Sequence, residues 1–178
     1  MGIYGYTRKL TLARLWGMDR ASAAEKYRPK KIDLSLVAET PPKELDRYFY
    51  FESVESHDWL FRHVFEVLFS VIPNRSAKTS WLNELKKRGI FLIDLKPDPL
   101  DKSNLKDHVD DLVRRCKELR PRRIILIKAT VYKTAYEHLF KAGLPVIDQQ
   151  VNFPSTGQQN KFREQFAKAL AAVPANIR

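Results

Sequence analysis

A chain of 178 residues with 44% hydrophobic and 30% charged residues is long enough for one domain with a real core and short for two. No apolar run is long enough to cross a bilayer, and the lone cysteine, Cys116, excludes an internal disulfide, a zinc site built on several thiolates and a four-cysteine cluster, so chemistry without metal or cofactor is expected. Lys and Arg number 32 against 21 Asp and Glu, and the net charge of +11 gathers at Arg28, Lys30 and Lys31, at Lys86, Lys87 and Arg88, and between Arg114 and Arg123. Such clusters suit a phosphate backbone, although a solvated surface uses the same residues.

The start, MGIYGYTRKL, has no apolar signal core, and Tyr6 stands where a myristoylation signal needs Ser or Thr; a cytoplasmic location is the expectation. A short helix is expected around Thr7 to Trp16. Ile32 to Ala38 (IDLSLVA) reads as a strand halted by the Pro41, Pro42 pair, and a loop or short edge strand with RYFYF follows. From Asp58 to Ile72 apolar residues fall on almost every face, which predicts a central, covered helix. Ala77 to Arg88 predicts another, closed by Gly89 as a left-handed cap, and Ile90 to Asp94 a strand. Ser103 is the expected cap of a helix in which Leu105, Val109, Leu112, Cys116 and Leu119 recur at helical spacing. Arg122 to Lys128 predicts a third strand, Thr130 to Lys141 a helix ended by Gly143, Leu144 to Ile147 (LPVI) a fourth strand, and Gln158 to Ala172 the last helix.

Apolar strands alternating with helices imply a three-layer α/β/α sandwich with a central, mainly parallel four-stranded sheet. The expected organisation is a single domain over 1–178, with residues 1–30 as an amino-terminal extension packed on it. Ligands of such sheets gather beyond the carboxyl ends of the strands. There the chain carries Glu39-Thr40-Pro41-Pro42, Asp94, Ala129-Thr130 and Asn152 to Gln159. Asp94 is the odd one: a carboxylate closing the apolar run Ile90 to Ile93 either meets a partner or faces a wet pocket.

Taken in order, LVAETPP, the aromatics of YFYF, GIFLIDLKPDP and FPSTGQ resemble the motifs of the uracil-DNA glycosylase superfamily, and the likeness runs from Ile32 to about Leu170. The resemblance implies an enzyme that flips a base out of the helix and cuts its bond to the sugar through a cation-like transition state. It places Glu39 and Thr40 in the catalytic turn, with Glu39 activating water or stabilising the sugar cation, unless it merely pairs with a basic neighbour. Phe49 or Phe51 would stack on the base, unless both are core, and Asp94 would read the base edge. Asn152, Phe153, Pro154, Ser155, Thr156 and Gln158, with Ser76 and Lys78, would contact DNA.

The chain departs from the family pattern at four of these positions. Thr40 stands where the uracil-specific branch has Asp. Asp94 replaces an Asn; an ionised Asp only accepts, which suits the amino group of a cytosine, whereas a protonated one regains a donor and leaves uracil open. Pro42 replaces a Tyr that blocks the C5 side of the base. Phe153 replaces the His or Asn that stabilises the departing base, so donors would have to come from Asn152 or from N–H groups of the Pro-Ser turn. His57 is the histidine to watch.

The expected activity is therefore that of a cofactor-free, monofunctional DNA glycosylase. Its substrate would be a C5-substituted, cytosine-type base, such as occurs in modified viral DNA, and it would act as a monomer on double- or single-stranded DNA, away from membranes. The alternatives are a uracil-DNA glycosylase of base excision repair, a DNA-binding member without catalysis, and a nucleotide-processing enzyme.

Overall fold

The computed structural model describes residues 20–44, 47–54 and 58–175. The helix expected over Thr7 to Trp16, and His57, lie outside these residues. A helical segment over 20–26 (α1) leads to strand β1 (Leu34–Ala38), then to helices α2 (Trp59–Phe69) and α3 (Lys78–Lys87), strand β2 (Ile90–Asp94), helix α4 (Val109–Leu119), strand β3 (Ile124–Leu126), and helices α5 (Ala129–Lys141) and α6 (Gln159–Ala171). The strands form a parallel sheet in the order β2-β1-β3.

β1 lies in the middle and all its residues are buried, as a strand covered on both faces must be. Its side chains alternate between two apolar clusters. Leu34 and Leu36 join Ile90, Leu92 and Ile125 under α2, α3 and α6, while Val37 joins Ile124 and Leu126 under α4 and α5. Gly89, at φ 69°, turns α3 into β2; a Cβ there would lie 2.8 Å from Asp33 Oδ2 and 2.9 Å from Lys31 O. Only glycine fits this turn without strain.

The sheet has three strands among the described residues, not four. The LPVI stretch touches β3 only through a bridge between Val146 and Ile124, and a further bridge joins Val151 to Ile127. The run is short, Pro145 brings no N–H, and the polar residues Asp148 to Gln150 carry the chain away before a ladder can form. The cap expected at Ser103 is at Asn104, which forms a capping box with Asp107 ahead of a single 3₁₀ turn, Leu105–His108. Ser103 instead bonds His108 Nε2 at 2.7 Å.

RYFYF makes no edge strand. It turns, with Phe51 N–H bonded to Tyr48 O at 3.0 Å, and lays Tyr50 against the open edge of β2. There the Tyr50 hydroxyl accepts from Leu92 N at 2.6 Å and donates to Leu92 O at 3.0 Å. A side chain thus satisfies the backbone groups that a fourth strand would have paired. Tyr50→Phe leaves both unpaired in a buried setting, and is expected to destabilise the protein by about 2–3 kcal/mol in a denaturant titration.

Candidate functional site

Beyond the carboxyl ends of the strands lies a cavity of about 290 Å³, walled by Ala38 to Pro42, Arg47 to Phe49, Asp58 to Leu60, Leu92, Asp94, Lys128 and Phe153. Its position follows from register. Ala38 pairs with Asp94 across the sheet, so the two side chains share a face and Glu39 leaves the neighbouring strand end one residue later. Glu39, Thr40, Pro42, Phe49, Asp94 and Phe153, expected from sequence to act together, all line this one space.

Asp94 is 9% exposed. Its main-chain carbonyl accepts from Arg115 Nη1 at 2.9 Å, whereas its carboxylate has no hydrogen-bond partner among the described residues and faces the cavity. Burial pushes this carboxyl up to about 7, against the pull of Arg115 and Arg20. Arg20 ties α1 to the turn below the cavity by donating to Pro42 O at 2.7 Å and Lys43 O at 3.1 Å.

Glu39 behaves differently. Its Oε2 accepts from Lys128 Nζ and from Thr130 Oγ1, both at 2.6 Å, while Oε1 has no partner among the described residues. Burial works to raise this carboxyl, but Lys128 and Thr130 outweigh it and hold it below the usual range. One cavity therefore holds a carboxylate that stays ionised and a second that titrates near neutrality. Environments that set a pair of acids so far from each other suit distinct chemical roles. The Thr40 hydroxyl is buried without a hydrogen-bond partner.

Phe49 is a wall of the cavity, backed edge to face by Phe61 at 5.4 Å. Phe51 is not; it packs on Tyr48 outside the lining. Trp59 stands at the rim and stacks on His63 with ring centroids 5.9 Å apart and planes within 7°.

Lys78 is no surface phosphate ligand. It is 1% exposed, donates to Tyr48 O at 2.9 Å, pairs with Asp58 Oδ2 at 3.3 Å and lies over the Phe61 ring. Burial lowers the lysine and raises the aspartate, as expected of a desolvated pair. The pair fixes the Tyr48 turn to the start of α2, and so shapes the cavity from behind. Lys78→Ala is expected to lower stability by about 3–5 kcal/mol in a denaturant titration, because it strands the Asp58 charge. Ser76 is exposed in a 3₁₀ turn, its N–H bonded to Asn74 Oδ1.

Asn152 does not face the cavity as a donor. Its N–H goes to Gln165 Oε1 at 2.8 Å and its amide to Gln158 Oε1 at 3.0 Å, so Asn152 and Gln158 hold each other. The Ser155 N–H is bonded to Phe153 O. Of the donors expected at this turn, Asn152 N–H is thus spent on α6, one Asn152 amide proton on Gln158 and the Ser155 N–H on its own loop. Pro154 is buried, and Ser155 and Thr156 are exposed beside the cavity wall formed by Phe153.

Apart from Arg115, which holds Asp94 O from α4, the basic clusters do not ring this cavity. Lys30 and Lys31 precede β1, Lys86 to Arg88 precede β2, and Arg120 to Arg123 precede β3, which in a parallel sheet puts them at the opposite edge. Arg47, Tyr48, Asp58, Trp59 and Lys128 of the site escape a reading from sequence, two of them narrowly. Lys128 follows the third strand directly, one position before the Ala129-Thr130 pair expected there, and Tyr48 precedes the expected aromatics by one. Among the described residues no helix is long and apolar enough to cross a membrane, and no cluster of His, Cys, Asp and Glu is placed to hold a metal ion. No protein-family model matches the chain, and no curated protein matches its sequence.

Proposed function

We propose that this chain is a monofunctional DNA glycosylase that takes a flipped pyrimidine into the cavity and hydrolyses its bond to the sugar. The observation that carries the reading is the meeting of Glu39 and Asp94 at neighbouring strand ends, in one cavity walled by Phe49. The cavity lies at the small end of the range for ligand sites, suited to a single ring and its substituents rather than to a dinucleotide.

In this reading Phe49 offers a face for stacking, and Asp94 reads the exocyclic edge of the base. Glu39, ionised at neutral pH, lies where a sugar cation would develop, and its open Oε1 orients the attacking water. Pro42 lines the cavity where the resembled motif has a bulkier Tyr against C5, which favours a C5-substituted cytosine and hence a role against DNA that carries such bases. The exposed Ser155-Thr156 turn serves the DNA backbone at the mouth. A second reading, excision of uracil-type bases in repair, draws on the burial of Asp94, whose neutral form both donates and accepts.

The test incubates the full chain with single- and double-stranded oligonucleotides containing uracil, hypoxanthine, cytosine, or methylated, hydroxymethylated or glucosylated cytosine, and then reveals abasic sites with alkali. Cleavage at a C5-substituted cytosine supports the first reading and cleavage at uracil alone the second. Binding without cleavage of any member rejects both and leaves a DNA-binding module.

A further inference from the structure

Among the described residues, three with side chains have positive φ: Ser70, Arg120 and Lys128. Ser70 (φ 55°, ψ 29°) and Arg120 (φ 48°, ψ 52°) lie in the left-handed region that commonly closes helices. Lys128, at φ 90° and ψ 135°, does not. It lies near the region that only glycine enters without strain. Glycine would make the turn from β3 into α5 without penalty, yet a lysine stands there.

The strained backbone brings this side chain to the cavity wall. One ammonium proton reaches Glu39 Oε2 at 2.6 Å, and the remaining donors have no partner among the described residues. Phe153, on the same cavity, cannot donate, and Asn152 is held by Gln158 and Gln165. Lys128 is thus a cavity-lining cation that keeps free donors within reach of a bound base.

Resting on the glycosylase reading, we propose that Lys128 supplies the positive charge that receives the departing base. As the bond from the sugar C1′ to the base nitrogen breaks, its electron pair leaves with the base, and the Lys128 ammonium donates a hydrogen bond to the base oxygen on which the charge collects. Water forms the new bond to C1′ and gives up a proton, and the base anion takes one up. The products are the free base and an abasic sugar, with water as the only co-reactant. Glu39 and Lys128 then act on opposite charges of one transition state, each oriented by the other.

The test compares the full chain with Lys128→Gly and Lys128→Arg, measuring Tm and single-turnover excision. The substrates pair the pyrimidine that the wild-type chain excises best in the panel above with its 5-fluoro analogue, whose electron-withdrawing substituent makes it leave more readily. Lys128→Gly is expected to raise Tm by a few degrees, because glycine relaxes the backbone. It should also slow excision of the wild-type substrate base by about 10²–10³-fold, the loss typical of one charge-stabilising donor, and of the fluorinated base by much less. Lys128→Arg keeps the charge and should retain most of the rate.

Wild-type rates in Lys128→Gly overturn the proposal. So does an equal loss on both bases, which marks a residue that only positions Glu39. A wild-type chain that excises no base removes the glycosylase reading and this role together, and is distinguished from the other outcomes by the wild-type control.

Discussion

Under the proposed reading, Glu39→Gln is expected to slow base excision by about 10²–10⁴-fold, the range for a positioned acid–base or charge-stabilising group, with DNA affinity changed by only a few fold. Gln keeps the shape and can still accept from Thr130, so the cavity survives. What it loses is the negative charge beside the sugar. The loss should therefore fall on the single-turnover rate and spare binding, the pattern of an interaction made chiefly in the transition state. Lys128 and Thr130 hold the Glu39 carboxyl below the usual range, so this group stays ionised through neutrality. The limb it adds to a pH–rate profile lies on the acid side of the ordinary carboxylate range, and activity limited by Glu39 alone is flat from there to pH 8. Single-turnover excision by the variant within a few fold of wild type would show that the carboxylate only buttresses Lys128.

Much of this arrangement is legible because strand ends are legible. Continuous apolar runs locate β1, β2 and β3, parallel crossovers put their carboxyl ends on one edge, and every polar residue just past those ends becomes a candidate. Glu39 and Asp94 emerge in that way, whereas Phe49, with Phe51 as its alternative, comes only from the resemblance to the glycosylase motifs. The failures have a different origin. Lys78 opens a helix whose other polar residues face water, and nothing local reveals that Asp58, twenty residues earlier, returns to bury it. The LPVI run has the composition of a strand, but Pro145 and the polar residues after it prevent a ladder that only the register of β3 makes visible. Lys128 is invisible for a subtler reason: its position depends on a φ that a sequence offers no hint of when the residue is not glycine.

The fold also redistributes the charge. The basic clusters read as one feature of a DNA-binding chain, but Lys30 and Lys31, Lys86 to Arg88 and Arg120 to Arg123 each precede a strand, so the parallel topology gathers them at the edge away from the cavity, whereas Arg115 of α4 reaches back to Asp94 O. At the cavity the nearby Lys128 and Arg47 face Glu39, Asp58 and Asp94. Local charge there is mixed. If a nucleic acid meets this mouth, its hold comes from stacking and backbone donors more than from a positive field, and a shallow dependence of substrate affinity on salt is the consequence.

The choice of base should turn on Asp94 and on pH. Below about 7 the carboxyl is neutral and presents one donor and one acceptor, as an Asn amide does, which matches the O4 and N3–H edge of uracil. Above it the carboxylate only accepts, and matches an exocyclic amino group. Under the proposed reading, the ratio of cytosine-type to uracil-type excision is expected to rise by up to about tenfold per unit as pH climbs through this value. Asp94→Asn should fix the uracil-type preference and abolish the pH dependence of the ratio. The same shift has a stability signature of opposite benefit. The folded-state value of about 7 lies above the ordinary 3.8, so between these values the native state binds the extra proton and stability falls as pH rises. By pH 8 the ionised, buried Asp94 costs up to about 4 kcal/mol by this linkage. Asp94→Asn should therefore raise Tm more at pH 8 than at pH 5. A pH-independent base preference that survives Asp94→Asn would show that the carboxyl is not the reader, whereas an unaltered Tm at both pH values would show that the cavity stays wet enough to solvate it. Under the proposed reading selectivity and stability thus hang on one buried proton, because a site that reads an amino group must hold a charge its own walls disfavour.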